Sequence, residues 1–148
     1  MAIKKLQNYI DGEWVDSSST KSIEVINPAT TETLAVEPLS TTAEMDAAIE
    51  AAQRAFPEWR QTPPVTRARY MFRLKEAMEA RFEELSQWVT KENGKTLDEA
   101  RGEVRRAIEN VEVGASIPSL LMGYNVEDVA QEIDEEALRQ PLGVFGML

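Results

Sequence analysis

The segment from Leu97 to Val113 restricts the possible folds more than any other, because it predicts an α-helix with apolar or small residues on two opposite faces. Thr96 and Glu99 form a capping box at its start, and Pro118 limits its extension. At about 100° per residue, one face carries a core stripe of Leu97, Ala100, Val104, Ile108, Val111 and Ala115. The opposite face carries Gly102, Arg106, Asn110 and Val113, and Ile117 and Leu120 extend this line. Such a helix is normally packed between two layers, so we expect a partner on each side.

The rest of the chain offers little to cover the second face of this helix. The last segment, 141–148, is an apolar run that has the pattern of a buried strand, whereas chain termini are usually polar and frayed. We therefore expect that part of the natural surroundings of the helix is missing, and that the 148 residues are a piece of a longer protein.

The first forty residues predict short β-strands. Asp11-Gly12 lies between short apolar and aromatic runs, which is a strong hairpin signal. Further alternating segments contain Ile23 and Val25, then Leu34 and Val36, with a turn at 27–30 between them. Four short strands of this kind predict a small sheet or edge hairpins.

Helices follow the strands. Thr41 and Glu44 form a capping box of a helix that Pro57 is expected to close. A second helical stretch is expected from 63–64 onward, with a break near Ala80 and a C-terminal end at Gly94. After Gly123, the acidic residues 125–136 alternate with apolar ones and predict a pair of strands or an acidic loop.

The composition removes several kinds of chemistry. The chain has no Cys and no His, so it has no thiol nucleophile, no thiolate metal site and no imidazole base. A net charge of −10 argues against nucleic acid and anionic membranes as partners. The N-terminus lacks the apolar run of a secretory signal, and no stretch approaches the roughly 20 apolar residues of a membrane span. We expect a cytoplasmic protein.

Several other motifs have a simple structural interpretation. The adjacent acids Glu83/Glu84 and Glu135/Glu136 cannot converge on one atom, and the group of Glu127, Asp128, Glu132 and Asp134 lacks the spacing of a calcium loop, so no metal site is expected. Gly143 and Gly146 lack the form of a phosphate-binding loop and have no following helix. Basic residues interleaved with acids indicate a solvated face: Arg67, Arg69, Arg73, Lys75 and Arg81.

Arg106 differs from these residues because it lies on the second line of the helix, beside Gly102 and Asn110. An arginine at this position is either an interfacial ion-pair partner or a fork that holds a carboxylate through two parallel hydrogen bonds. The spacing alone favours the ion pair and leaves both alternatives open.

In order along the whole chain, the landmarks resemble the N-terminal region of the aldehyde dehydrogenase superfamily. These landmarks are 9–14 (Tyr-Ile-Asp-Gly-Glu-Trp), 27–30 (Asn-Pro-Ala-Thr), 55–59, 67–69, 92–100 (beginning Glu-Asn-Gly-Lys-Thr) and 141–144 (Pro-Leu-Gly-Val). Segments 102–112 and 118–123 are similar to those of the CoA-acylating methylmalonate-semialdehyde dehydrogenases.

The resemblance implies an α+β fold, mainly helical, with N-terminal hairpins and a C-terminal β arm. Residues 1–122 would form the outer part of the cofactor domain, 123–140 an oligomerisation arm, and 141–148 the start of a Rossmann-type sheet whose central parallel strands lie beyond this chain. We therefore expect a homo-oligomer.

The resemblance also implies an activity, which is the NAD-dependent oxidation of malonate or methylmalonate semialdehyde to acetyl-CoA or propionyl-CoA, in valine and myo-inositol catabolism. The cysteine nucleophile and the contacts to NAD and coenzyme A would lie in the absent remainder, so this chain carries no catalytic or cofactor-binding residue and is expected to be inactive and to bind neither cofactor. Arg106 matches a family arginine that holds the substrate carboxylate, whereas Asn93 and Lys95 match positions that we interpret as structural.

Two other hypotheses are compatible with the residues alone. One is an independent helical module that binds a partner protein, and the other is a small enzyme that uses paired carboxylates.

Overall fold

The structure, a computed structural model, describes residues 4–147 and begins with five short strands. These are β1 (Lys4–Lys5), β2 (Asn8–Ile10), β3 (Glu13–Val15), β4 (Ser22–Ile26) and β5 (Thr33–Pro38). β5 is the central strand of a three-stranded sheet, with β1 parallel on one side and β4 antiparallel on the other. β2 and β3 form the hairpin predicted from the Asp-Gly pair, and both turn residues have positive φ, as a type I′ turn requires.

The first helix, α1 (Thr42–Gln61), starts at the predicted capping box. The side chain of Thr41 accepts a hydrogen bond from the backbone N–H of Glu44, whose carboxylate accepts one from the N–H of Thr41. The expectation that Pro57 closes this helix was wrong, because α1 continues to Gln61. Pro57 removes only one helical hydrogen bond, and its position is exposed, so water can solvate the carbonyl left unpaired.

Three helices and a short turn follow. They are α2 (Pro64–Ala80), α3 (Phe82–Asn93), α4 (Leu97–Ala115) and α5 (Ile117–Leu120). The predicted break near Ala80 lies at Arg81, and the predicted helix end at Gly94 has a φ of 82°. A Cβ at Gly94 would lie 2.9 Å from the Pro28 side chain and 3.2 Å from the Ala29 backbone N, so the turn at 27–30 packs directly against the end of α3.

The core lies where α4 packs against α2 and α3. Ala100, Val104, Ile108 and Ala115 are buried, which confirms most of the predicted stripe, and Leu97 and Val111 are half-buried at its margins. Ala68 contributes from α2 and Ser86 from α3, where the Ser86 hydroxyl donates to the Phe82 carbonyl at 2.8 Å. Burial of these small side chains brings the three helices close together.

Beyond α5, the chain forms a second antiparallel hairpin, β6 (Tyr124–Ala130) and β7 (Ile133–Ala137). The pair of strands expected here is therefore present, and the α+β class, mainly helical with N-terminal hairpins and a C-terminal β arm, is confirmed. A Cβ at Gly123 would lie 1.8 Å from the Ala137 carbonyl oxygen, so only glycine fits where the chain enters the hairpin.

The apolar segment 141–147 has no helix or strand, and Leu142 and Met147 are 87% and 93% exposed. The strand that the pattern of these residues indicates is therefore not formed within 141–147, while Leu148 lies outside the described part. A strand needs a neighbour to pair its backbone groups, and none of β1–β7 lies beside this segment. Within 4–147, no helix has the length and apolar character needed to cross a bilayer.

Candidate functional site

Helix α4 presents its second line of residues to the outside of the described structure. Val113 is 61% exposed on this side, whereas Ile108 on the core side is fully buried. Arg106 and Asn110 lie on the same side as Val113 and are exposed, and Gly102 on this side is half-buried. The helix thus has one packed face and one free face, which is the arrangement expected from its sequence.

The flanks of α4 carry arginines with a structural role. Arg101 donates to Glu83 of α3 from Nε and from Nη2, the latter at 2.8 Å. Its Nη1 donates to Asp98 at 2.8 Å. Arg105 binds Glu79 of α2 at 2.6 Å. Hydrogen bonds from Arg101 and Arg105 lower the pKa values of Glu83 and Glu79 respectively, so these carboxylates are ionised at neutral pH.

Arg106 has a different environment from these two arginines. Its Nε donates to the carbonyl oxygen of Gly102, one turn earlier, at 3.4 Å, and its own carbonyl accepts from the Asn110 side chain at 3.0 Å. Within 4–147 no carboxylate lies within salt-bridge distance of its guanidinium. An ion pair inside the described chain therefore does not form, and the two alternatives from the sequence, an interfacial ion pair and a carboxylate fork, both remain open.

The glycine at 102 explains how Arg106 lies along the helix. A Cβ at Gly102 would lie 3.8 Å from Nη2 of Arg106, and no other group lies within 4 Å of that position. The guanidinium therefore lies over the glycine, on the free side of α4. A planar fork in this position can hold a carboxylate bidentately.

Most other candidate residues lie apart from α4's free face. Glu83 and Glu84 are on α3, and Glu83 is engaged by Arg101. Glu135 and Glu136 are on opposite faces of the β6–β7 hairpin, as neighbours in a strand must be. In the part of the chain that the structure describes, no three potential metal ligands converge.

Gly143 and Gly146 lie in the irregular segment that follows the hairpin. No helix follows them before residue 147, so the geometry of a phosphate-binding loop is not formed there. Asn93 is the last residue of α3, and the Lys95 ammonium pairs with the Glu103 carboxylate of α4. Both have the structural positions expected for them.

The basic cluster of α2 is more than a solvated face. The Lys75 ammonium pairs with Glu112 of α4. The Arg73 guanidinium lies 4.3 Å from the centre of the Tyr70 ring, and Trp59 meets that ring edge-on at 5.5 Å between centroids. Sequence reasoning missed this aromatic group; the signal was the i, i+3 spacing of Tyr70 and Arg73 away from the core stripe.

Comparison with known proteins gives a family for this chain. Residues 14–148 match the model of the aldehyde dehydrogenase family. The chain is 47% identical over 144 residues to the malonate-semialdehyde dehydrogenase of Listeria monocytogenes, covering 97% of this chain and 30% of that protein. It is 49% identical over 139 residues to malonate-semialdehyde dehydrogenase 1 of Geobacillus kaustophilus, covering 94% and 28%.

Solved structures show the same similarity. The methylmalonate-semialdehyde dehydrogenase from Oceanimonas doudoroffii superimposes with a TM-score of 0.87 at 41% identity, covering 95% of this chain and 28% of that one. A Sinorhizobium meliloti structure assigned to the same enzymes and complexed with NAD gives 0.88 at 33% identity, covering 95% and 29%. The chain thus spans about 30% of the length of its relatives.

Proposed function

Because this chain belongs to the aldehyde dehydrogenase family, we propose that it carries the carboxylate-binding part of a malonate- or methylmalonate-semialdehyde dehydrogenase. Such an enzyme oxidises the semialdehyde with NAD and forms acetyl-CoA or propionyl-CoA. Supporting this proposal, the chain is 47% and 49% identical to two malonate-semialdehyde dehydrogenases. NAD is present in one similar solved structure.

The single observation on which the proposal depends is the free guanidinium of Arg106. A semialdehyde of this class has a carboxylate at one end and the reacting aldehyde at the other. If the Arg106 guanidinium binds the carboxylate, the aldehyde carbonyl lies at a fixed distance from Arg106 and is oriented for attack. Arg101 and Arg105 cannot do this, because their nitrogens already bind Glu83 and Glu79.

The 148 residues contribute binding and not the chemical step. With no cysteine in the chain, they cannot supply a thiolate, and with no histidine they cannot supply an imidazole base. When NAD is bound to an aldehyde dehydrogenase it accepts the hydride. We propose that this chain alone turns over no substrate and binds neither NAD nor coenzyme A.

The remaining parts of the chain have proposed roles within the family fold. Residues 1–122 would be the outer part of the cofactor domain, 123–140 an arm for homo-oligomer formation, and 141–148 the start of the central sheet. The exposed hairpin β6–β7 supports the second assignment, because a two-stranded hairpin is marginally stable until it is covered. We also propose a cytoplasmic location.

Binding at Arg106 can be tested by titrating the 148-residue chain with malonate, which carries the carboxylate of the substrate. We expect the side-chain Nε–H resonance of Arg106 to shift in NMR spectra at about tens of millimolar malonate, because one exposed ion pair contributes only about 0.2–1 kcal/mol. Arg81, which is exposed at the α2–α3 junction, serves as the internal control.

Neutral malonamide at equal concentration should leave both resonances in place. Equal shifts at Arg81 and Arg106 would show that malonate acts only through general charge screening, and the proposed role of Arg106 would then be wrong.

A further inference from the structure

The C-terminal end of α3 carries an asparagine that is exposed and is followed directly by a glycine. Asn93 is the last residue of the helix, and Gly94 comes next. The carboxamide of an asparagine can be attacked by the backbone nitrogen of the following residue, which makes asparagine one of the thermolabile residues. A glycine favours this attack, because it has no Cβ that obstructs the approach. Asn93 is therefore a candidate for chemical modification.

The other four asparagines of the chain lack this combination. Asn27 precedes Pro28, which has no backbone N–H. The remaining three, Asn8, Asn110 and Asn125, precede a tyrosine or a valine, whose side chains obstruct the attack. The side-chain amide of Asn8 also donates to the Ser40 hydroxyl at 2.9 Å. Asn93 is thus the position in this chain at which the reaction is chemically favoured.

In the folded chain, the backbone conformation of Gly94 slows this reaction. The Gly94 N–H donates to the Thr90 carbonyl at 2.8 Å, so the nitrogen is engaged. Its φ of 82° is the left-handed conformation that commonly ends a helix. To close a five-membered ring with the Asn93 side chain, this nitrogen has to leave its hydrogen bond. The reaction therefore requires the last turn of α3 to open.

The turn at 27–30 restricts that opening. Pro28 and Ala29 lie against Gly94, since a Cβ on the glycine would be 2.9 Å from Cγ of Pro28 and 3.2 Å from the Ala29 nitrogen. The turn itself is fixed by a local hydrogen bond, in which Oδ1 of Asn27 accepts from the Ala29 N–H at 2.9 Å. A turn that is ordered in this way and contacts Gly94 limits the movement of the helix end.

We infer that Asn93 is a site of spontaneous deamidation, and that the contact between Gly94 and the 27–30 turn sets its rate. The Gly94 nitrogen loses its proton and bonds to Cγ of Asn93, the bond from Cγ to the amide nitrogen breaks, and ammonia leaves with that proton. Water then cleaves the cyclic imide at either of its carbonyls, which gives aspartate or isoaspartate. No electrons are transferred, and water is the only co-reactant.

Neither product restores the original helix end. Both place a new carboxylate in the last turn of α3, next to that of Glu92, where the negative end of the helix dipole disfavours it. Isoaspartate also lengthens the main chain by one carbon before Gly94, and the short distances to Pro28 and Ala29 leave little room for a shift towards the turn. We therefore expect the modified chain to lose this contact and the product to accumulate with time.

Incubation of the 148-residue chain at mildly alkaline pH, followed by mass spectrometry of its peptides, tests the inference. The peptide that contains Asn93 gains mass when water replaces ammonia. We expect its conversion to be about tenfold or more slower in the folded chain than in concentrated guanidinium chloride, because the reaction requires a local opening. Pro28→Ala removes most of the side chain that contacts Gly94 and should accelerate conversion in the folded chain about threefold or more.

Two control variants separate local opening from global unfolding. Pro57→Ala makes the same substitution at an exposed position of α1 and should leave the rate unchanged. Ile108→Val weakens the buried core and should also leave the rate unchanged, since the helix end opens locally. In guanidinium chloride all variants should convert at the wild-type rate, and circular dichroism establishes that each is folded without it.

Three results would overturn the inference. The first is a Pro28→Ala variant that converts at the wild-type rate, since the turn would then not control the reaction. The second is an Ile108→Val variant that is accelerated as much as Pro28→Ala, which would mean that the chain has to unfold globally. The third is a wild-type chain that converts as fast when folded as in guanidinium chloride, because the helix end would then give no protection.

Discussion

Three arginines of α4 show how the position of a side chain around the helix axis decides its role. Arg101 and Arg105 are four residues apart and face the carboxylates of α3 and α2. Arg106 is only about 100° further round the helix than Arg105, and it meets no neighbouring helix there. The guanidinium groups of Arg101 and Arg105 therefore link α4 to its neighbouring helices, whereas that of Arg106 can bind a ligand.

The position of Arg106 could be predicted from the sequence, whereas its lack of a partner could not. Helical periodicity places it opposite Ile108 by arithmetic alone. Salt-bridge partners depend on which helices lie alongside, and Glu83 is 18 residues from Arg101. Since such long-range pairs are fixed by packing, the sequence could not tell a free arginine from a paired one.

Glu44 gives a pH-dependent prediction at the residue scale. Hydrogen bonds from the backbone N–H groups of Thr41 and Ser18, and weaker ones from the Ser17 and Ser18 hydroxyls, lower the pKa of Glu44 to about 2 from 4.5. Its stabilising contribution is therefore complete above pH 4.5 and is lost as the pH falls towards 2. Glu44→Gln should lower the free energy of unfolding at pH 7, and this difference should shrink towards pH 2, as measured by urea denaturation across that range.

Glu50→Gln is the matched control, because it removes a carboxylate from the same helix at an exposed position. Subtracting its pH dependence from that of Glu44→Gln removes the contributions of the other acids. A difference between the two variants that stays constant from pH 7 to pH 2 would contradict the proposed linkage.

Helix starts that are fixed by a capping hydrogen bond were predicted correctly. The capping boxes at Thr41 and Thr96 each place a hydroxyl acceptor three residues before a glutamate, and both form. The end of α1 was misplaced because a proline disfavours a helix without forbidding it, and a solvated helix can tolerate the loss of one bond. A capping box therefore determines where a helix begins more strictly than a proline determines where one ends.

The two faces of α4 give a prediction at the scale of the element. Ile108 is fully buried against α2 and α3, whereas Val113 is 61% exposed on the opposite side. Ile108→Ala should reduce the free energy of unfolding by about 2–5 kcal/mol through lost contacts and a cavity. Val113→Ala, which removes two methyl groups from the free face, should change it by less than about 0.5 kcal/mol. Urea denaturation of both variants measures the contrast.

Ile108→Val keeps the prediction measurable if the alanine variant unfolds, and it should reduce the free energy of unfolding by about 0.5–1.5 kcal/mol. Comparable losses from Val113→Ala and Ile108→Ala would mean that the outer face of α4 is also packed, in conflict with its exposure.

At the scale of the whole molecule, most of the elements could be predicted and their arrangement only in part. The sequence predicts four N-terminal strands, whereas the structure has five. The sequence identified a helix with two apolar faces, and the structure covers one of them. It did not predict that β1 pairs in parallel with β5, because those strands are about 30 residues apart and their pairing depends on the chain between them. The apolar run at 141–147 is unpaired in the described chain, and its sequence indicated burial without naming what covers it.

This uneven packing predicts that the β6–β7 hairpin unfolds locally while the helical core stays folded. Ala100, Val104 and Ile108 of α4 lie in the core, so their amides should exchange only on global unfolding, and small additions of urea should accelerate that exchange. The hairpin has every residue exposed except Ala137, so its amides should exchange faster, through local opening that urea hardly affects. Hydrogen exchange followed by NMR at low protein concentration distinguishes the two. Ile108→Val should accelerate exchange in α4 and leave the hairpin unchanged; a hairpin whose exchange follows α4 in rate and urea dependence would instead show one cooperative unit.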